Sequence, residues 1–170
     1  MGWLAKGRRS LIVGVAALLA AAPVSAQALP PKTNASLTPA KGDLIPTFET
    51  QSIDGQAQKL TFPKGSKTVL LFFLSGCPTC HKMIPEWNRA YERRPKGLKV
   101  VGVIMDQEPP GFWSSLAIQF PVLRSPGRDF LNSLKVHRAP LTLRVSEGGK
   151  VEDLALGIVD PIRLGELFRP

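Results

Sequence analysis

The sequence is poor in the residues that build metal sites and membrane spans. It contains only two cysteines and two histidines among 170 residues. A zinc site made of Cys77, Cys80 and His81 would lack a fourth ligand, and His137 is the only other histidine. The apolar run at residues 11–22 is too short for a membrane span of about 20 residues. These shortages argue against a structural zinc site and against a transmembrane protein.

Internal repeats and low-complexity segments are also missing, and the length suits one ordinary domain. The formal net charge is +9 at pH 7, but the basic residues are scattered and form no patch interleaved with aromatic residues. We interpret them as a solvated surface and predict no nucleic-acid partner.

The first 26 residues have the three parts of a secretory signal peptide. Lys6, Arg8 and Arg9 form a positive region, the apolar run at residues 11–22 follows, and Val24-Ser25-Ala26 puts small residues where a signal peptidase reads. We therefore predict a signal peptide over residues 1–26, cleavage after Ala26, and a periplasmic or otherwise exported protein. An uncleaved membrane anchor and a twin-arginine export route are the alternatives.

The remaining chain predicts a flexible lead-in over residues 27–41 and one domain over residues 42–170. Turn residues and hydrophobic periodicity predict alternating strands and helices in this domain. The predicted strands are residues 47–53, 58–62, 68–74, 98–105, 121–123, 141–145 and 151–156, and the predicted helices are residues 78–94, 112–118, 127–134 and 161–168. The fold class is therefore α/β, with a central mixed β-sheet flanked by helices and an extra N-terminal hairpin.

Both cysteines lie in Cys77-Pro78-Thr79-Cys80, directly after a continuous apolar run at residues 69–74. A buried strand that delivers a Cys-x-x-Cys onto the start of a helix is an arrangement used for thiol–disulfide exchange. The helix N-terminus favours a thiolate at Cys77, whereas a disulfide that closes so small a loop stabilises little. We predict that Cys77 is the nucleophile and Cys80 the resolving thiol, with no metal or organic cofactor.

The same residues support an alternative from a different functional class. His81 completes Cys-x-x-Cys-His, the attachment sequence for c-type haem, in which Cys77 and Cys80 would form thioether links and His81 would ligate the iron. Such motifs usually occur in small helical domains. The present motif lies between two strongly predicted strands, which favours thiol–disulfide exchange.

Six segments between residues 42 and 168 carry a joint spacing that is more specific than the cysteine motif alone. They are residues 42–48, the turn 54–55 with Leu60, residues 69–80 with Pro85, residues 100–103, residues 139–143 and residues 148–151. With these segments the chain resembles the thioredoxin superfamily, and more narrowly the exported TlpA/ResA-like thiol–disulfide oxidoreductases, which share a redoxin core with peroxiredoxins.

The resemblance implies a thioredoxin-like fold, a redox-active disulfide between Cys77 and Cys80, and a cis peptide bond before Pro140. Ala139 and Pro140 would then offer backbone groups to an extended partner peptide. The implied partners are proteins with thiols or disulfides, apocytochrome c among them, and a membrane electron donor, and we expect a monomer. Because the redoxin core is shared, a thiol peroxidase is a further alternative.

Three positions depart from the pattern of the resembled family. Gly76 replaces the tryptophan commonly found before the first cysteine, Met83 stands where many relatives carry a glutamate that aids proton transfer, and Leu71 stands where thioredoxins carry a buried aspartate. No acid is therefore evident beside Cys80, which argues against carrying over a strong reducing activity. His81 is the candidate proton relay in place of that acid.

Overall fold

The computed structural model describes residues 1–2 and 38–169. The predicted signal peptide and most of the predicted lead-in therefore lie outside the described residues, and the fold is that of residues 38–169. Among the residues described, no helix combines the length and the hydropathy that crossing a bilayer requires.

The described residues form seven strands, four α-helices and one 3₁₀ turn. In chain order they are β1 (Phe48–Gln51), β2 (Ala57–Leu60), β3 (Thr68–Phe73), α1 (Pro78–Glu92), β4 (Lys99–Ile104), α2 (Phe112–Ser115), β5 (Val122–Arg124), α3 (Arg128–Ser133), β6 (Leu141–Val145), the 3₁₀ turn (Glu147–Gly149), β7 (Val151–Leu156) and α4 (Pro161–Leu167).

Five of the strands form one mixed sheet in the order β5-β4-β3-β6-β7. β3, β4 and β5 are parallel, whereas β6 and β7 are antiparallel to their neighbours. β1 and β2 form a separate antiparallel hairpin. The predicted α/β class, the mixed central sheet and the extra N-terminal hairpin are thereby confirmed.

β3 occupies the centre of the sheet because its side chains are apolar on both faces. Val69, Leu71 and Phe73 pack into one buried cluster, and Leu70 and Phe72 pack into a second cluster on the opposite face. Alternate residues of a strand point to opposite faces, so a continuous apolar run suits a strand that is covered on both sides. The loop that carries the cysteine motif therefore starts from the central strand of the sheet.

α1 covers one face of this sheet through a stripe of apolar side chains. Met83, Ile84 and Trp87 are buried, and the Trp87 indole Nε1 donates a hydrogen bond to Thr142 Oγ1 on β6 at 3.1 Å. Pro85 lies inside the helix, on its exposed side. Because proline has no N–H, the helix lacks one backbone hydrogen bond there. The indole contact fixes the second half of α1 to the sheet.

α2 is shorter than the sequence predicted. The pattern predicted a helix over residues 112–118, but α2 ends at Ser115 because Leu116 adopts an extended backbone, with φ −127° and ψ 123°. Leu116 and Ile118 still pack against the apolar cluster beneath α1. An irregular segment, not a helix, therefore brings these two side chains to the core.

The residues just before β1 pair with the beginning of β7. The N–H of Gly42 donates to the carbonyl of Val151, and the N–H of Val151 donates to the carbonyl of Asp43, both at 2.8 Å. The N–H of Ile45 donates to the carbonyl of Gly149, also at 2.8 Å. Residues 42–45 thus extend the hydrogen bonding of the sheet beyond its outermost strand.

A buried carboxylate on β7 connects this N-terminal segment to α4. Asp153 accepts two hydrogen bonds from the guanidinium of Arg163, at 2.8 and 2.9 Å, and pairs with Lys41 at 3.0 Å. It also accepts from the N–H of Leu154 at 3.0 Å. These bonds, those from Arg163 above all, hold the pKa of Asp153 well below its usual value of 3.8.

We expect Asp153→Asn to destabilise the protein near neutral pH by about 2 kcal/mol, as for other hydrogen bonds to charged groups. Because the folded-state pKa is depressed, the carboxylate stabilises the fold above pH 3.8, and this contribution is lost as the pH falls below that value. Urea unfolding at a series of pH values should show a gap between wild type and variant that closes below about pH 4. A difference in unfolding free energy between wild type and variant that stayed constant as the pH fell below 3.8 would contradict this account.

Candidate functional site

The cysteine pair lies at the carboxyl end of the central strand. β3 ends at Phe73, and the three loop residues 74–76 separate it from Cys77, the N-cap of α1. The two strands that run parallel to β3 end at the same edge, β4 at Ile104 and β5 at Arg124. In open α/β sheets, sites form in the crevice beyond the carboxyl ends of parallel strands. The topology therefore puts Cys77 where loops from several elements converge.

Cys77 and Cys80 are joined by a disulfide bond, with their Cα atoms 5.2 Å apart. Cys77 is the N-cap of α1, and its Sγ accepts a hydrogen bond from the backbone N–H of Cys80 at 3.1 Å. Pro78 occupies the first helical turn, where its missing N–H would have had no helical partner. After reduction, the same N–H and the positive end of the helix dipole would stabilise a Cys77 thiolate.

The two cysteines differ in their access to solvent. Cys77 is half-buried, whereas Cys80 has no exposed surface. The preceding Gly76 is exposed, and a Cβ atom at this position would meet nothing within 4 Å. A large side chain is therefore missing from the approach to Cys77, and a partner sulfur can reach it while Cys80 stays sheltered.

The loop before β6 brings a cis peptide bond to the same region. The Ala139–Pro140 bond is cis, as the family resemblance implied. The carbonyl of Pro140 accepts a hydrogen bond from the N–H of Gly157 at 2.8 Å, which ties this loop to the end of β7. Ala139 packs against the apolar cluster that contains Cys80, and so does Cys77. Ala139, assigned to partner binding, and the two cysteines assigned to exchange therefore meet in one apolar cluster.

The structure adds a carboxylate that the sequence analysis did not single out. Asp106 accepts hydrogen bonds from the N–H and from the Oγ of Ser75, at 2.9 and 2.8 Å. The carbonyl of Ser75 is 2.7 Å from Nε2 of His81. Because a carbonyl can only accept, the imidazole carries a hydrogen on Nε2. Asp106, Ser75 and His81 thus form a chain of hydrogen bonds on the loop that leads into Cys77.

Strand register contained a signal for this carboxylate. Phe73 and Ile104 are paired across the parallel strands β3 and β4. Ser75 and Asp106 each follow their strand end by two residues, so parallel pairing alone puts them at the same place on the sheet edge. A prediction that compared the residues following each parallel strand would have found the pair.

Two of the three positions that depart from the resembled family carry apolar side chains that are buried in the core. Leu71 and Met83 have no exposed surface. The Met83 thioether accepts a hydrogen bond from the N–H of Val159 at 3.4 Å, which connects α1 to the segment before α4. Neither position supplies an acid for proton transfer, as the sequence indicated.

The two histidines are engaged differently. His81 is held by Ser75, whereas His137 is exposed on the segment before Ala139. Within the part of the chain that the structure describes, no group of three or more His, Cys, Asp or Glu side chains is arranged to hold a metal ion.

A protein-family model described as Redoxin matches residues 40–163, a range that includes the disulfide and the cis proline. The chain belongs to the redoxin family. Two relatives from Bacillus subtilis (strain 168) are similar to this redoxin. Sporulation thiol-disulfide oxidoreductase A is 25% identical over 127 residues, which cover 70% of this chain and 76% of the relative. Thiol-disulfide oxidoreductase ResA is 26% identical over 121 residues, which cover 69% and 68%.

The fold of this redoxin is also found among solved structures. The crystal structure of StoA from Bacillus subtilis matches it with a TM-score of 0.62 at 23% identity, covering 74% of this chain and 98% of that one. The fold is therefore thioredoxin-like. With its relatives and its bonded cysteine pair, this redoxin is an enzyme of the thiol–disulfide oxidoreductase type.

Proposed function

We propose that this redoxin is an exported enzyme that exchanges its Cys77–Cys80 disulfide with thiols and disulfides of partner proteins. The observation that carries the proposal is a disulfide at the start of α1 with one half-buried and one fully buried cysteine. The names of the two relatives from Bacillus subtilis support it. Export is supported by the signal-peptide pattern of residues 1–26, from which cleavage after Ala26 is proposed.

The reaction consists of two sulfur displacements. The Cys77 thiolate attacks a partner disulfide, an S–S bond forms between Cys77 and one partner sulfur, and the other partner sulfur leaves as a thiolate. Cys80 then loses its proton and attacks Cys77, which releases the second partner thiolate and restores the Cys77–Cys80 disulfide. The partner gains two electrons, and two protons complete its thiols. The reverse sequence oxidises a partner dithiol.

Partner binding is assigned to Ala139 and Pro140, as the family resemblance implies, and Ala139 packs against the apolar cluster that contains Cys80. The resemblance implies that the backbone groups of Ala139 pair with an extended segment of the partner. From the family resemblance we propose proteins with thiols or disulfides as partners, apocytochrome c among them, and a membrane electron donor. We propose a monomer as the active form.

His81 is proposed as the proton relay in place of the acids that are missing at Leu71 and Met83. Its Nε2 hydrogen is bonded to the Ser75 carbonyl, so the opposite ring nitrogen, Nδ1, is the one available to accept or release a proton. Histidine is suited to this role because an imidazole can both accept and release a proton.

The alternatives are a c-type haem protein and a thiol peroxidase. The haem alternative would need both sulfurs for thioether links and the His81 imidazole for iron, whereas the sulfurs are bonded to each other and Nε2 is bonded to Ser75. A Soret band in the purified protein would support haem. Consumption of peroxide with a supplied reductant would support the peroxidase.

We expect Cys80→Ser to trap the first step of the reaction. With Cys77 intact and no resolving thiol, the variant should accumulate a mixed disulfide with a disulfide-bonded substrate such as insulin. Non-reducing electrophoresis and mass spectrometry should show an adduct that dithiothreitol releases. Cys77→Ser is the matched control, and it should form no adduct. An adduct that formed only on Cys77→Ser would reverse the order of attack proposed here, and equal adducts on both variants would mean that Cys77 is not the preferred nucleophile.

The direction of exchange follows from the reduction potential of the pair. A value well below the glutathione range would make this redoxin a reductant, whereas a value near about −120 mV would make it a strong oxidant. Equilibration with glutathione buffers of known ratio measures it.

A further inference from the structure

A groove far from the cysteine pair lies between the second half of α1 and α4. It has a volume of about 510 Å³, and its walls include Arg89, Arg93, Arg94 and Arg169. Arg93 follows Cys77 by sixteen residues, which at the α-helical rise corresponds to roughly 24 Å. We call this feature the arginine groove. Its distance from Cys77 separates it from the exchange reaction.

Two of the four guanidinium groups already have partners. Arg89 is hydrogen-bonded to Glu86, which supplies the one carboxylate among the lining residues. Arg94 donates to the carbonyl of Tyr91 at 2.6 Å, and its guanidinium lies 3.7 Å from the centre of the Tyr91 ring. These contacts hold the Arg89 and Arg94 side chains along the wall of the groove. The lining residues therefore include one carboxylate and four guanidinium groups.

The other two guanidinium groups remain available. Arg93 and Arg169 are exposed, and within residues 38–169 neither side chain has a hydrogen-bond or ion-pair partner. Arg93 follows the last residue of α1, where a positive charge complements the helix dipole. That role does not need a second arginine from the segment after α4. Guanidinium groups bind carboxylates in a bidentate manner, so Arg93 and Arg169 can each bind one carboxylate.

A glycine keeps the groove open. Gly165 lies in the interior of α4, and a Cβ atom there would meet nothing within 4 Å. Glycine costs about 1 kcal/mol relative to alanine in a helix interior, and no close contact or left-handed backbone requires it here. Gly165 lines the groove, so a side chain at this position would fill part of it.

We propose that the arginine groove docks an acidic segment of a partner protein. An apolar side chain of that segment lies over Leu164, and carboxylates beside it pair with Arg93 and Arg169. A concave site with an apolar floor favours a peptide segment over a flat bilayer or a bare inorganic anion, because neither of these fills the floor. Docking at this end of α1 leaves the Cys77 end accessible to a second protein.

The test uses the oxidised full chain and a fluorescein-labelled peptide, Glu-Asp-Leu-Glu-Asp, near neutral pH, with binding followed by fluorescence anisotropy. We expect binding that weakens as sodium chloride rises. The double variant Arg93→Ala/Arg169→Ala should weaken binding about 10-fold or more, since two charge-assisted hydrogen-bonding sites are lost. Gly165→Met should weaken it similarly without changing the charge, and thermal unfolding would verify that both variants are folded.

The matched control is Arg128→Ala/Lys64→Ala, which removes two exposed positive charges outside the groove and should leave binding unchanged. The proposal is overturned if wild type does not bind the peptide, if Gln-Asn-Leu-Gln-Asn binds equally well, or if the control variant loses as much affinity. It is also overturned if Gly165→Met binds normally, or if phosphatidylglycerol vesicles, and not the peptide, require Arg93 and Arg169. The peptide has no cysteine, so none of these outcomes bears on disulfide exchange.

Discussion

Cys77→Ser is expected to reduce disulfide exchange to the uncatalysed rate. A serine hydroxyl is not ionised near neutral pH and cannot form a mixed disulfide, so the first displacement has no nucleophile. Cys80 cannot take over, because it has no exposed surface. The measurement is insulin reduction with dithiothreitol as the electron source, or reactivation of a scrambled substrate.

The control for this experiment is wild type kept reduced, because the variant also loses the Cys77–Cys80 bond. Both proteins should show the same thermal unfolding and the same near-UV circular dichroism, since the bond closes a very small loop and stabilises the fold little. A serine variant that turns over insulin as fast as wild type would refute the assignment of Cys77.

Gly149→Ala is expected to cause the largest loss of stability from a single added methyl group. Gly149 is buried with φ +89°, and a Cβ there would overlap the carbonyl oxygen of Ile45 and lie 3.3 Å from the Phe62 ring. The left-handed backbone costs about 1–2 kcal/mol for alanine, and overpacking adds about 1–3 kcal/mol. Chemical denaturation should therefore show a clearly lower midpoint.

The neighbouring glycine provides the control that separates these two costs. Gly148 has φ +72°, but a Cβ there would meet nothing within 4 Å. Gly148→Ala should therefore cost only the backbone contribution of about 1–2 kcal/mol. If the two variants lost the same free energy of unfolding, the close approach of Ile45 to Gly149 would contribute nothing to the cost of Gly149→Ala.

The parts of the fold that the sequence predicted well are those with a strong local pattern. The apolar run of β3 and the apolar stripe of α1 bracket the cysteine pair, and both elements formed close to their predicted bounds. Pro140 required more than local pattern. Its cis bond was implied by the family resemblance, because an isolated proline before a strand is usually trans.

The features that were missed depend on contacts between distant residues. Asp106 has no local motif, and it becomes part of the site only because β3 and β4 pair in parallel and bring it to Ser75. The arginine groove needs α4 to pack beside α1, whereas the sequence alone showed only scattered basic residues, which we interpreted as a solvated surface. The early end of α2 is set by Leu116, whose apolar side chain fits a helical and an extended backbone equally well.

The pairing of residues 42–45 with the beginning of β7 affects more than the packing of one segment. β7 is a border strand of the sheet, and a bare border strand is a template on which a second molecule can add its own strand. Residues 42–45 cover part of this strand edge through their hydrogen bonds. Proteolysis that removed residues 42–45 would expose this edge of β7, and we expect the molecules to aggregate through it.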